Sequence, residues 1–205
     1  MNESKNLTRV YVFPLLYVVS LYLFPVFSSY SEDFPILSYV KYICFIFGIL
    51  NIIVAAKCCK PEYRHIMLNC AVLVKYALIP FFVIGGIFVI ATFLLALMPV
   101  PFMLFFGPAM ALILCAIGWL ILALGAPYTI SYLCLSQKAG FRSSTTAVLH
   151  SILQFFFFID VFDVMYLTFK EGKWKKLTIT LLILLLIAIV LIFLLFAFGL
   201  LSFAF

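Results

Sequence analysis

Charge is scarce in this chain. Only 10% of its 205 residues are Asp, Glu, Lys or Arg, against about 25% in an ordinary soluble domain. That scarcity excludes a water-facing surface of the usual kind. Also missing are a phosphate-cradling Gly-rich loop, a His-Glu-x-x-His zinc-protease helix and a Gly-x-Ser-x-Gly elbow. Nothing therefore selects an enzyme, and no cofactor is expected.

What the chain has in abundance is hydrocarbon: 68% of residues are hydrophobic and the mean hydropathy is +1.32. A soluble core of this length could not hide so much apolar surface. A lipid bilayer is the expected solvent, and the expected fold is an all-α, polytopic helix bundle in the cell membrane. The net charge of +6 has the sign that nucleic acid attracts. Its Lys and Arg residues, however, fall in short stretches between apolar runs, where they act as topology signals and lipid-headgroup contacts. Nucleic acid is not an expected partner.

Six cysteines are present. Most lie inside apolar runs, where a thiol behaves as a small hydrophobe, and no structural disulfide is expected. Cys58 and Cys59, near His65, are adjacent and lack the spacer that lets two thiolates reach one zinc ion. No metal site is expected.

Six apolar segments are long enough to weigh against the roughly 20 residues that cross hydrocarbon: 10–27, 36–56, 66–97, 103–135, 145–169 and 177–201. Together they read as a single transmembrane domain covering 1–205. The first is longer than a usual signal-peptide core and is interrupted by Pro14 and Pro25, so it reads as an uncleaved span. A polar link with Glu32 and Asp33 follows it. Met98-Pro99-Val100-Pro101 makes a tight turn between two helices longer than one bilayer thickness, which should tilt or protrude. Their protruding ends are expected to hold Asn69 and Lys75 on one helix and Pro127, Tyr128 and Gln137 on the other. Pro14, Pro80, Pro108 and Pro127, with Gly85-Gly86, are candidate hinges.

Positive charge marks the cytoplasmic side of short loops. With the N-terminus inside, the basic stretches at Lys57 to Arg64 and at Lys138 to Arg142 are inside too, while Lys41 sits at an outer boundary. That orientation holds whether or not 145–169 crosses. This fifth segment is the unusual one, because one Asp near a helix centre costs about 2.5–3.5 kcal/mol and each large apolar residue returns only about 0.3–0.6. On one straight helix His150 and Gln154 share a face, while Asp160 and Asp163 lie well round from them. Such scatter suits a sixth span or a deep re-entry better than an interfacial helix.

Intramembrane ionisable groups are functional candidates because burying them is costly. His150, Gln154, Asp160, Asp163 and Lys75 form the candidate polar site, with the carboxylates and His150 lining a cation or proton path and Lys75 pairing with a carboxylate. The plainer reading puts the aspartates at a helix end or the headgroup level, and lets Lys75 snorkel to the surface. Gly107, Ala111 and Cys115 recur every four residues and make a helix-packing face.

The stretch Gly125-Ala126-Pro127-Tyr128-Thr129-Ile130-Ser131-Tyr132, followed by His150-Ser151-Ile152-Leu153-Gln154-Phe155 and Asp160, resembles uncharacterised small polytopic membrane proteins of low-GC Gram-positive bacteria. The resemblance covers the C-terminal half and implies no activity. The Ala-x-x-x-Ala signature that marks substrate-binding subunits of energy-coupling-factor vitamin transporters is absent from the first segment.

Two functions of different class follow. The first is a non-catalytic interaction or assembly component, binding lipid and a membrane partner or a second copy through basic loops and small-residue faces. The second is a small-solute or cation permeation component using Asp160, Asp163 and His150.

Overall fold

A computed structural model describes residues 2–29, 39–98 and 100–204. Glu32, Asp33 and Pro99 lie outside the described residues. The fold is all-helical, with no strand among the described residues. Helix α1 is Asn2–Ser29 and α2 is Val40–Lys57; a short turn of 3-10 helix, Pro61–Tyr63, leads into α3, Arg64–Leu94. Then follow α4 (Pro101–Gly125), α5 (Pro127–Lys138), α6 (Ser144–Leu153), α7 (Ile159–Glu171) and α8 (Lys175–Ala204).

Two continuous stretches, Pro61–Leu97 and Pro101–Lys138, are long and apolar enough to cross a membrane. They form the expected hairpin, with α3 packed on both α4 and α5. Pro101 opens α4 at its first position, where its missing amide costs nothing. Pro14, Pro80 and Pro108 are absorbed inside continuous helices, but Pro127 is not. It cannot supply an amide to the Ala123 carbonyl, which instead accepts from the Ala126 amide at 3.2 Å. The expected helix 103–135 is therefore two, α4 and α5, meeting at Ala126. The expected helix 145–169 is also two, because the chain turns over 154–158.

The chain divides into two compact units, 1–164 and 165–205. In the first, α1 packs on α2 and α3, and α2 on α4 and α5. The core lies where α3's first half meets α5: Met67, Leu68, Val74, Leu78, Tyr128, Tyr132 and Leu133 have no exposed surface. Lys75 and Tyr128, expected at the ends of the long hairpin, are fully buried within the protein. Of the ends named, only Gln137 is exposed, and the Asn69 amide donates to the Tyr11 hydroxyl at 3.0 Å. In the second unit the Thr168 and Thr178 hydroxyls meet at 3.2 Å, and Thr178 also donates to the Trp174 carbonyl at 3.0 Å.

Candidate functional site: a buried charge cluster on a helical reversal

His150 and Gln154 lie four residues apart near the end of α6, and Asp160 and Asp163 lie three apart in the first turns of α7. Each pair therefore shares one face of its own helix. On a single straight helix His150 and Asp163 would be separated by 13 rises of 1.5 Å, about 20 Å, beyond the reach of their side chains. In the structure His150 Nδ1 contacts Asp163 Oδ1, so the chain must reverse between them. It does so over Gln154 to Phe158. The end of α6 tightens into i→i+3 bonds, from the amides of Gln154, Phe155 and Phe156 to the carbonyls of Ser151, Ile152 and Leu153. Phe158 then takes a φ of +66°, a left-handed conformation that is strained for a bulky residue.

The strain is held by contacts at the apex. Trp119 on α4 donates its indole N–H to the Phe155 carbonyl at 3.2 Å. Phe157 meets Phe82 of α3 edge-on, with ring centres 5.7 Å apart. These contacts seat the apex against the α3–α4 hairpin.

The polar groups turn inward from that seat. Lys75 Nζ lies 2.7 Å from Asp160 Oδ2, and both side chains are shut off from solvent. Gln154 Nε2 donates to Asp163 Oδ2 at 2.6 Å, so Asp163 is engaged on both oxygens. Asp163 also lies within electrostatic range of Lys75. Side-chain exposure falls along the series, from 15% at His150 to 2% at Asp163, 1% at Asp160 and none at Lys75. Asp160 Oδ1 and Gln154 Oε1 are buried without a hydrogen-bond partner, which leaves acceptor capacity inside the cluster.

All five residues of the candidate polar site are thus brought into one neighbourhood. Lys75 is not at the surface, as snorkelling would require; it is fully buried, and its ammonium is held by Asp160. Asp160 does sit in the first turn of a helix, where a carboxylate suits the helix dipole, yet it faces Lys75 rather than solvent. The helix-packing face is two residues, not three. A Cβ on Gly107 would lie 2.7 Å from the Thr92 carbonyl oxygen, and Ala111 is buried, but Cys115 is exposed. Cys58 and Cys59 are half-buried, and burial pushes both thiols above their ordinary value. They are less reactive than a surface pair.

Some contributors carry no strong signal in the sequence. Asn51 of α2 is fully buried and accepts from the Tyr128 hydroxyl at 2.9 Å. The buried Tyr17 hydroxyl donates to the Ile121 carbonyl at 2.8 Å. A lone Asn inside the apolar run 36–56 could have marked the first of these; nothing marked Tyr17 or Trp119.

A family model described as a family of unknown function (DUF6652) matches residues 7–176, which includes every helix of the cluster. No curated protein and no solved structure matches the chain.

Proposed function

The chain belongs to the DUF6652 family, and from that premise we propose that it is a multi-pass integral membrane protein acting as a proton-permeation component. The site is the buried cluster at the α6–α7 reversal. Support for the membrane comes from an inverted surface. Phe155, Phe156, Phe158, Ile159 and Phe162 are exposed while Gln154, Asp160 and Asp163 are buried. Water favours the opposite arrangement, whereas hydrocarbon favours this one.

Helix lengths set the topology of the proposal. Helices α6 and α7 have 10 and 13 residues, each short of the roughly 20 needed to cross hydrocarbon. With a reversal between them they form a re-entrant hairpin, and α1 to α5 with α8 supply five crossings, α4 and α5 serving as one. Lys75 is eleven residues into α3, about 16 Å from its cytoplasmic start, which sets the Lys75–Asp160 pair well below the headgroups.

The exposure series carries the functional reading. A proton can reach the partly exposed His150, whose two ring nitrogens are separate proton sites. Asp163 holds one of them and orients the imidazole. Beyond Asp163 lie Gln154 and the Lys75–Asp160 pair. Asp160 takes a proton on its unpartnered oxygen as the Lys75 ammonium gives one up onward. The pair thus turns neutral together and reloads as Asp160 returns its proton to Lys75. An assembly role through Gly107 is less well supported, because a Cβ there would already meet the chain's own Thr92, Leu95 and Ala96.

The test is proton flux in vesicles of purified protein, driven by a potassium diffusion potential and read with an entrapped pH dye. Asp163→Asn is the informative variant, since it removes the relay carboxylate without stripping Lys75 of its counter-charge. Wild type should acidify or alkalinise the lumen well above empty vesicles, and Asp163→Asn should slow this at least tenfold while melting like wild type. Equal rates, or wild-type flux no greater than empty vesicles, would refute the proposal.

A further inference from the structure

Two further buried cations are Arg142, on the connector between α5 and α6, and Arg64, at the start of α3. Helix α5 ends in a two-bond cap, in which the Gly140 amide donates to the Gln137 carbonyl at 2.9 Å and the Phe141 amide to the Ser136 carbonyl at 3.0 Å. This cap needs the left-handed φ of +75° that Gly140 adopts. Two residues after Phe141, α6 starts from Ser143, whose Oγ accepts from the Thr146 amide. Arg142 is thus fixed between two caps.

Its side chain points into the protein. Arg142 is 8% exposed, and its guanidinium carbon lies 6.0 Å from the centre of the Tyr132 ring. Arg64, the first residue of α3, is equally buried, lying 5.7 Å from the same ring centre and 4.3 Å from that of Phe141. Two guanidiniums therefore converge on one tyrosine.

Arg142 Nη1 and Nη2 are buried and meet no acceptor. Asp163 is within electrostatic range, but His150 and Gln154 already occupy its two oxygens. A buried guanidinium without an acceptor is strongly unfavourable. Its paired N–H groups match the spacing of oxygens on a phosphate. We propose that Arg142, with Arg64, forms a binding site for a phosphate group, either the headgroup phosphate of an anionic lipid or free phosphate. Phe141 stands beside the site with 65% of its surface exposed, and an aromatic ring next to a buried cation is what an acyl–headgroup boundary favours. The site does not depend on proton relay, and flux is not its readout.

The experiment uses full-length protein. Phosphatidylglycerol retained after an extensive phosphatidylcholine–detergent wash is measured by native mass spectrometry. In parallel, the melting temperature is followed in sodium phosphate and in sodium chloride of equal ionic strength. Wild type should retain phosphatidylglycerol, and Arg142→Gln should retain at least tenfold less. Stabilisation by phosphate without retained lipid, lost in Arg142→Gln, would assign the site to free phosphate. Should Arg142→Gln fail to fold, Arg142→Lys keeps the charge but loses the paired donors, and retention should still fall several-fold. Equal retention and equal phosphate response in wild type and the folded variant, or neither response in wild type, would overturn the site.

Discussion

From Arg64 to Leu78 most side chains of α3 are buried; from Ile79 to Leu94 none is, and Ile87 and Phe88 are each 60% exposed. The hairpin partner repeats the contrast, since half of α5 is buried while α4 before Ile121 buries only Gly107 and Ala111. The covered halves are the less apolar in sequence, with Arg64, His65, Asn69 and Lys75 in α3 and Thr129, Ser131, Ser136, Gln137 and Lys138 in α5. Polar side chains within an apolar run thus mark the half that the rest of the chain covers. Lys75 sits in the covered half, where the Asp160 carboxylate 2.7 Å away compensates a charge that apolar side chains cannot solvate. The bare half carries no charge and needs no such neighbour.

The largest effect that probes this contrast belongs to the ion pair. Lys75→Met leaves Asp160 buried without its counter-charge and should cost about 3–5 kcal/mol, read as a lowered melting temperature in detergent. The double variant Lys75→Met with Asp160→Leu should recover most of that loss, because an apolar pair needs no compensation. If the single variant melts like wild type, the covered half does not depend on its charges.

A smaller effect compares two glycines. Gly107→Ala drives a Cβ to 2.7 Å from the Thr92 carbonyl, backbone that cannot swing aside, and should destabilise by about 1–3 kcal/mol. Gly86 has nothing within 4 Å of an added Cβ, so Gly86→Ala should be neutral or stabilise by up to about 1 kcal/mol. Equal melting temperatures would mean that the bare halves are not closely packed at Gly107.

The mildest probe uses native thiols. Cys70 is fully buried in the covered half and Cys115 is exposed on the bare half. In membranes, a lipid-soluble maleimide should label Cys115 and spare Cys70 until the protein is denatured. A charged, impermeant maleimide should label neither. Labelling of Cys115 by the charged reagent would show that the bare half meets water.

Much of the fold was legible because it rests on apolar run length and on proline. The Pro-rich turn before Pro101 separated two helices, and Pro127 was marked as a hinge, although its effect as a full break needs the lost amide to the Ala123 carbonyl. The break at 154–158 left no such trace. Gln154-Phe155-Phe156-Phe157-Phe158 contains neither proline nor glycine, and its reversal depends on the seats offered by Trp119 and Phe82 and on the inward groups Lys75, Asp160 and Asp163. The candidate polar residues were therefore identifiable by type, while their convergence was not. Read as one helix, the segment scatters its polar groups; read as two, it gathers them.

Lys75 precedes Asp160 by 85 residues. A ribosome finishes α3 long before it reaches the carboxylate that completes it. Any chain that stops short of α7 lacks that carboxylate, and its Lys75 ammonium is without the partner that holds it in the complete cluster. Closure of the cluster therefore waits on α7, and the pair ties the first half of α3 to a segment 85 residues later in the chain.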